Sequence, residues 1–477
     1  VSDFSLLEKN TYSTDSQGNI KRLDLYDVKL NNLTALSPLF EHLKILSLIE
    51  CDIENIEDIK YFTQLEELNL DEVKLKNLTT LLPISKHLKV LSLIECDIEN
   101  IEDIKYFTQL EKLELDKVKL KNLTALFPIS EHLKVLSLTR CDIETIEGIK
   151  KFNQLKKLEL DKVKLKNLIA LLPISKHLKI LSLKRCNIET IKGIKNFTLL
   201  EELDLTLNPI SDLKELKNLF HLKKLILWGT NVNSITGLEL LKYLKKLNLS
   251  NSKINSINNI CSINSIKILN LGSCKITEMT GLDKFPNLEY LNLTSNNITE
   301  IKNLEILNQL KELHLSSNRI IKIRGLEYLA NLEILDLGSN EVSEIQGLNK
   351  LLKLKELNLS ETNINKINGI KHLANLEVLM LNCNKIKKMD NIPHNSLKEL
   401  YISYNQIEEF KNHLICPEKI QLIGNKIERI DTSYLQNIKE KCLIDLRNNP
   451  LENIEGEIPN NITIKTGKHY GLVATGL

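Results

Sequence analysis

Cysteine and histidine are the residues of this chain whose chemistry could bind a metal ion or form a covalent link, and both recur at a fixed interval. Steps of 45 residues separate Cys51, Cys96, Cys141 and Cys186. The same step separates His42, His87, His132 and His177. The spacing therefore raises two possibilities, a disulfide or metal cluster, or one structural position that is repeated.

The geometry of a repeat favours the second possibility. If 45 residues are two repeats whose strands lie ~4.8 Å apart, successive cysteines lie ~9–10 Å from each other. A disulfide needs Cα atoms within ~7 Å, and ligands of one metal ion lie closer still. We therefore predict buried reduced thiols, turn histidines and no metal site. The odd total of nine cysteines favours a reducing compartment.

Other reactive patterns are weak. Lys465-Thr466-Gly467-Lys468 resembles part of a phosphate-binding loop but lacks its spaced glycines. No Ser/His/Asp or paired-carboxylate arrangement rises above the background of a charged repeat surface. We expect no catalytic residue, no cofactor and no enzymatic activity.

The dominant pattern is a Leu-x-Leu pair that returns about every 22 residues. The pairs begin at Leu23, Leu46, Leu68, Leu91, Leu113, Leu136, Leu158, Leu181, Leu203, Leu225, Leu247, Leu269, Leu291, Leu313, Leu335, Leu357 and Leu379, and less regularly at Leu400, Ile420 and Ile444. About 20 repeats of this kind predict a solenoid, in which each unit buries its apolar face only against its neighbours.

One repeat shows how the solenoid is built. The segment 43–53 follows L-x-x-L-x-L-x-x-N/C-x-L, the leucine-rich-repeat signature. Leu46 and Leu48 alternate inward from a short strand, and Ile45, Ser47 and Ile49 point outward. We predict an α/β repeat solenoid: a curved leucine-rich-repeat horseshoe with a parallel concave sheet and short helical turns on the convex side.

The position where the chain turns away from each strand changes along the sequence. Asparagine fills it at Asn208, Asn296, Asn318, Asn340, Asn384, Asn405, Asn425 and Asn449. A buried turn leaves backbone groups that need partners, and asparagine both donates and accepts. In the first half, cysteine alternates with Val28, Val73, Val118 and Val163. We therefore expect a differently bonded and less rigid first half.

The period also predicts the domain organisation. Residues 1–22 form an N-terminal cap, with a hairpin at 17–19. Residues 23–451 form the repeats: 45-residue double repeats over 23–202, regular 22-residue repeats over 203–399 and irregular repeats over 400–451. Residues 452–477 form a C-terminal cap with a hairpin through Ile462–Thr466 and Tyr470–Ala474. Caps cover the open ends of such a stack.

Composition excludes several classes. The formal net charge is +2 with 26% charged residues, so a dedicated nucleic-acid binder is disfavoured. No apolar run approaches the ~18–20 residues of a membrane span.

The middle repeats resemble a particular subclass. Ile235-Thr236-Gly237-Leu238, Met279-Thr280-Gly281-Leu282, Ile323-Arg324-Gly325-Leu326 and Ile345-Gln346-Gly347-Leu348 follow the turns. The resulting 22-residue consensus resembles the class typified by the nuclear regulatory subunit of type-1 protein phosphatase, and bacterial internalins look similar. The resemblance covers about residues 23–450. It implies binding of a protein partner on the concave sheet, with a phosphatase catalytic subunit as one such partner.

Outward strand positions are the candidate binding residues. Trp228, the only tryptophan, lies beside Ile226, and large exposed aromatics are the usual anchors of interfaces. The alternative is an incidental surface aromatic partly covered by Lys224 and Lys246. Comparable positions hold Asp204, Tyr290, His314, Asp336, Met380 and Tyr401.

The outward residues also change in charge along the first eight repeats. Ile49 and Ile94 become Thr139 and Lys184, while Glu50 and Glu95 become Arg140 and Arg185. This gradient is either neutral drift on a solvated face or selection for different contacts.

Two function classes remain. The first is an intracellular scaffold or regulatory subunit, cytoplasmic or nuclear and monomeric in isolation, that binds a protein partner. The second is a secreted or surface adhesin or effector of internalin type. A signal peptide at the true N-terminus would favour the second.

Overall fold

A computed structural model describes residues 10–141, 143–258, 260–393, 396–411 and 417–467. The chain forms two compact units, Val1–Asn231 and Val232–Leu477. Each is described by itself below.

The first unit is a stack of parallel strands joined by short 3-10 helical turns. Its parallel strands are Ile20–Tyr26, Ile45–Ile49, Glu67–Asp71, Val90–Ile94, Lys112–Asp116, Val135–Thr139, Lys157–Asp161, Ile180–Lys184, Glu202–Asp204 and Lys224–Ile226. Its 3-10 helices are Leu33–Leu39, Glu57–Tyr61, Thr79–Ile84, Glu102–Tyr106, Leu123–Ile129, Ile149–Lys151, Ile169–Ile174, Ile194–Asn196 and Lys214–Asn218. A small pair, Lys29–Leu30 with Asp52–Ile53, lies outside the sheet.

The second unit repeats this arrangement with fewer helical turns. Its sheet strands are Lys246–Asn248, Ile268–Asn270, Tyr290–Asn292, Glu312–His314, Ile334–Asp336, Glu356–Asn358, Val378–Met380, Glu399–Tyr401, Lys419–Gln421, Cys442–Asp445 and Ile462–Lys465. Arg429–Asp431 and Asn453–Glu455 form a separate parallel pair. The 3-10 helices are Leu282–Lys284 and Thr432–Leu435.

The strand register follows the leucines. Leu23 pairs with Leu46, Leu46 with Leu68, and the irregular repeats continue with Leu400 opposite Ile420. Both leucines of each pair are buried, so neighbouring repeats share one continuous core. The predicted repeat solenoid with a parallel sheet is confirmed, and within the described ranges its helical turns are 3-10 rather than α-helical.

The first unit begins with a hairpin. Thr11–Thr14 pairs antiparallel with Ile20–Tyr26, and the latter is also the first strand of the parallel stack. At the other end, Ile462–Lys465 pairs in parallel with Cys442–Asp445, so within the predicted C-terminal cap this segment continues the stack. The second half of the predicted C-terminal hairpin, Tyr470–Ala474, lies outside the described residues.

The turn position is bonded in two ways. Asn208 is buried, donates to the carbonyl groups of Leu183 and Leu205 at 2.6 and 2.9 Å, and accepts from the amides of Cys186 and Ile188, both at 3.0 Å. Cys96 donates, through its thiol, to the carbonyl groups of Leu70 and Ile94 at 3.5 and 3.2 Å. The predicted difference in bonding is therefore present, and the predicted difference in rigidity stays a prediction.

Candidate functional site

The outward side chains of the sheet strands form what we call the strand face. In each strand, the first column precedes the inward leucine, the second column lies between the two inward residues, and the third column follows them. Because the strands are in register, residues of one column are neighbours across adjacent repeats, ~4.8 Å apart.

Pointing outward does not mean being exposed. Ser47 of the second column retains 3% exposure, and the equivalent Ser92, Ser137 and Ser182 are also buried. The small hydroxyl is covered by longer neighbours, such as Asn69, whose amide donates to the Ser47 hydroxyl at 3.0 Å. Ser47, predicted to point outward, is therefore unavailable for contacts with a partner.

An apolar patch lies at the last repeats of the first unit. Ile226 is half-buried at the end of its strand, and Trp228, two residues further on, is 37% exposed. The amide of Leu207 donates to the carbonyl of Trp228 at 2.8 Å, so the backbone of a third apolar residue, 39% exposed, lies beside that of Trp228. We call Leu207, Ile226 and Trp228 the apolar patch.

Leu207 was missed by the sequence reasoning. Its backbone is left-handed, with φ at 55°, a conformation that bulky side chains rarely adopt. Glycine or polar residues hold the equivalent position in most repeats, as at Arg185, Gly229 and Ser295, all with positive φ. A leucine directly after the third column was the signal available in the sequence, because neither backbone preference nor core packing requires an apolar residue there.

Two polar residues border the apolar patch. Asp204 pairs in register with Ile226 and accepts from the amide and hydroxyl of Thr206 at 3.0 and 2.6 Å. Its other carboxylate oxygen lies 3.5 Å from the Lys184 ammonium. The Lys224 ammonium binds Glu202 at 3.1 Å.

The remaining predicted residues lie on the strand face of the second unit. Tyr290 is in the first column, whereas His314 is in the second, and both positions point outward from their strands. Their rings nevertheless touch diagonally, with centroids 5.1 Å apart. Burial raises the pKa of Tyr290. His314 also lies 3.5 Å from the Glu312 carboxylate.

Asp336, Met380 and Tyr401 continue the second column and are half-buried. Asp336 is neighbour to His314 and accepts from the Asn358 amide at 2.8 Å. Met380 and Tyr401 face each other in register. The Tyr401 hydroxyl donates to Glu399, and the Lys419 ammonium lies 4.8 Å from the centroid of its ring. Burial and the Glu399 carboxylate raise the pKa of Tyr401 to about 12.

Charge is distributed unevenly over the first unit. Residues 60–105 carry six Lys and Arg against nine Asp and Glu, whereas the equivalent residues 150–195 carry thirteen against three. Two arginines of the later copies bind buried carboxylates: Arg140 binds Asp116, and also the partly exposed Glu95, and Arg185 binds Asp161. The charge gradient predicted from the third column is thus part of a wider difference between otherwise similar copies.

The described cysteines form no cluster. Every described cysteine is a free thiol, and burial raises the pKa of Cys96 and Cys186 to about 12. Within the described ranges, no group of three or more His, Cys, Asp or Glu side chains could hold a metal ion. The same part of the chain has no helix that is both long enough and apolar enough to cross a membrane.

Comparison with known proteins agrees with this architecture. Family models described as "Leucine Rich repeats (2 copies)" and "Leucine Rich repeat" match residues 308–350, and residues 198–213 and 286–300, respectively. Among curated proteins, no sequence matches the chain.

Several solved structures share the fold. An internalin (inlF) from Listeria monocytogenes is 26% identical with a TM-score of 0.52, over 61% of this chain and 85% of that one. YopM from Yersinia enterocolitica is 20% identical with a TM-score of 0.54, over 93% and 91%. The functional domain of InlJ from Listeria monocytogenes, which includes a cysteine ladder, is 19% identical with a TM-score of 0.54, over 72% and 75%.

The fold, the repeats and these matches define the chain as a leucine-rich-repeat protein with internalin-like structural neighbours. Leucine-rich-repeat folds are typically non-catalytic scaffolds that bind proteins, and the matched family models describe repeats and no catalytic domain.

Proposed function

We propose that this protein is a non-enzymatic binding module that holds a protein partner on its strand face, with the apolar patch of the first unit as the anchor. The observation that carries the proposal is the exposure of Leu207 and Trp228 beside Ile226, although Leu207 occupies a left-handed backbone position. Exposed apolar clusters rimmed by polar residues mark protein interaction sites, and tryptophan is enriched among interface residues that dominate binding energy.

The second-column residues of the second unit form a separate candidate contact region within that unit. His314, Asp336, Met380 and Tyr401 are half-buried before any partner binds, and most of their polar groups already have partners. Side chains held in one conformation lose little entropy on binding.

The kind of partner and its location are separate parts of the proposal. The free thiols support a scaffold or regulatory subunit in the cytoplasm or nucleus, and the phosphatase catalytic subunit implied by the sequence resemblance is one partner to test. The likeness to an internalin supports the alternative, a secreted or surface protein that binds a host protein.

The test is capture of partners from native lysate, and from host lysate, on three immobilised proteins. These are the wild type, the double variant Trp228→Ala/Asp204→Lys, and Phe220→Ala. Phe220 is the matched control because it is 53% exposed and comes from the same repeat but lies before the strand.

Proteins retained by wild type and Phe220→Ala but lost by the double variant, identified by mass spectrometry, would support the proposal. Their identity would separate a regulatory subunit from an adhesin. Equal retention by all three proteins would contradict binding through the apolar patch.

A further inference from the structure

The two ends of the first unit's strand face differ in sign of charge although they are built on nearly the same core. The acidic end is defined by Glu50, Glu67, Asp71 and Glu72, and the basic end by Lys156, Lys162, Lys184 and Arg185. Glu67, Asp71 and Glu72 form no ion pair within the described ranges, and neither do Lys156 and Lys162. These five charges are therefore available to a partner, whereas Lys184 and Arg185 are paired with Asp204 and Asp161.

Repulsion within the acidic end is visible at Asp71. This carboxylate lies in register between Ile49 and Ile94, which are half-buried and bear no charge. Burial, followed by the neighbouring charges of Glu72, Glu95 and Glu50, raises its pKa. In the next copy the equivalent Asp116 is neutralised by Arg140, the residue that replaces a glutamate. The acidic end therefore lacks the arginine that binds the equivalent aspartate, Asp116, in the next copy.

The basic end lacks a carboxylate at a position where other copies have one. Along the edge of the sheet, Glu66 binds both Lys44 and Lys89 at 2.6 Å, and Glu201 binds Lys179 and Lys223 at 2.9 and 2.6 Å. The residue equivalent to these glutamates in the third copy is Lys156, which is exposed. Its neighbours along the edge are Lys134 and Lys179, so three lysines follow one another here, whereas lysine and glutamate alternate from Lys44 to Lys134.

From this arrangement we infer that the partner is a polypeptide segment that lies along the strand face of the first unit. The segment is acidic where the face is basic and basic where the face is acidic. Its apolar residue contacts the apolar patch, an acidic stretch follows over Lys184, Arg185 and Lys162, and a basic stretch reaches Asp71 and Glu72. Lys156 lies at the other end of the strand Lys157–Asp161 and adds positive charge to the same part of the face. This inference rests on the proposed function, because the same face and the same anchor are used.

The spacing sets the length of such a segment. Four strand steps separate the strand that contains Asp71 from the strand between Lys156 and Lys162. At ~4.8 Å for each step the distance is ~19 Å, which an extended chain covers in about six residues. The apolar patch lies two to three strand steps beyond the strand Lys157–Asp161, about three or four residues of an extended chain away.

A polypeptide fits this face better than a nucleic acid does. A nucleic acid carries one sign of charge along its whole length, so a strand placed over the lysines would meet the carboxylates at the acidic end. A segment that changes sign complements both ends, and charge complementarity also fixes the direction in which it lies.

The test uses the full chain and fluorescent synthetic peptides, with binding measured by fluorescence anisotropy at 50 and 300 mM salt. The probe contains a Phe-Leu anchor, four Asp or Glu residues, six Gly or Ser residues and four Lys or Arg residues, and is made in both chain directions. Comparison probes are a peptide of the same composition with scrambled charges, an all-acidic peptide, and oligodeoxythymidylate of similar length.

The protein variants are matched in charge. The test variant is Lys156→Glu/Lys162→Glu/Lys184→Glu, which reverses three exposed charges on the strand face. The control is Lys150→Glu/Lys195→Glu/Lys217→Glu, which reverses three exposed lysines on the 3-10 helices of the same unit. Thermal unfolding verifies that both variants are folded.

We expect one direction of the probe to bind wild type at least ~10-fold tighter than the scrambled peptide, and to weaken at high salt. The test variant should lose at least ~10-fold in affinity and the control less than ~2-fold. The inference is overturned if the scrambled peptide binds equally, if the control loses as much, or if the all-acidic peptide or the oligonucleotide binds as tightly.

Binding of the natural partner to the Trp228→Ala variant and to the charge variant tests this inference separately from the proposed function. A partner weakened by Trp228→Ala but not by the charge variant would overturn the charge polarity and leave the proposed function standing. A partner weakened by neither would overturn both.

Discussion

The ring of Phe127 lies directly against Gly148, so that a Cβ atom on this glycine would come within 2.2 Å of the Phe127 ring atom Cζ. Gly148 also has a φ of 85°, and the Phe127 ring packs edge-on against Phe152, with centroids 6.4 Å apart. In the next copy, Leu172 replaces the phenylalanine opposite Gly193. The Phe127 ring therefore occupies the space that a side chain at position 148 would need, so the two residues, which belong to different repeats, depend on each other.

Gly148→Ala should lower the free energy of unfolding by roughly 2–4 kcal/mol, the sum of left-handed backbone strain and the clash with the ring. Gly193→Ala is the control, because its φ is 99° but its Cβ would have only ordinary contacts, at 3.5 Å or more. It should lose only about 1–2 kcal/mol. Adding Phe127→Leu to Gly148→Ala should bring the loss down to that of the control. Urea unfolding of all four proteins measures this, and equal losses for the two glycines would contradict this dependence.

Asn208→Leu should lower the free energy of unfolding by about 2–4 kcal/mol. The buried amide donates to three carbonyl groups and accepts from two amides, and these backbone groups would be left without partners. Thr230→Val removes a single bond, from the threonine hydroxyl to the Leu227 carbonyl at 2.8 Å, and should cost about 1 kcal/mol. Hydrogen exchange of the Cys186 and Ile188 amides should accelerate only in the Asn208 variant.

Thiol labelling should distinguish the buried cysteines of the turn position from an exposed cysteine. Burial raises the pKa of Cys96 and Cys186 to about 12, so at pH 8 almost no thiolate is present, and the sulfur atoms are also inaccessible. Cys383 is exposed and should react first with iodoacetamide in the native protein. Peptide mass spectrometry measures the order, and in 6 M guanidinium chloride the three should react alike. Rapid labelling of Cys96 in the native protein would show that the turns containing these cysteines open to solvent.

Acid should weaken the lysine–glutamate ion pairs along the edge of the sheet. Hydrogen bonds from Lys44 and Lys89 lower the pKa of Glu66 to about 2, below its ordinary value of 4.5. The stabilisation is therefore fully present above pH 4.5 and is lost as the pH falls towards about 2. Glu66→Gln should lower the free energy of unfolding at pH 7 by roughly 0.5–1 kcal/mol, since the pairs are partly exposed.

The same difference should shrink as the pH is lowered from 4.5 towards 2, as measured by urea unfolding at several pH values. Glu111→Gln is the control, because Glu111 binds a single lysine, Lys134, at 2.7 Å. Its effect at pH 7 should be smaller. A Glu66→Gln effect that does not depend on pH would contradict the assignment to the ion pairs.

The sequence by itself determined the repeat, the register and the nature of the turn position. The Leu-x-Leu period is sufficient because leucines at i and i+2 of a strand must point to the same side, and a stack can bury them only in register. The same reasoning identified the asparagine and cysteine positions and placed Trp228 and Ile226 outward. These properties depend on one repeat and its immediate copy.

Only the tertiary structure decided which outward residues a partner can reach. Ser47 is outward but buried, Tyr290 belongs to a different column from His314, and Leu207 is exposed beside Trp228. Exposure on a sheet depends on the size of the side chains ~4.8 Å away on both sides, and available charge depends on which pairs form between repeats. Neither property follows from the period, because the period determines the direction of a side chain and not what its neighbours cover.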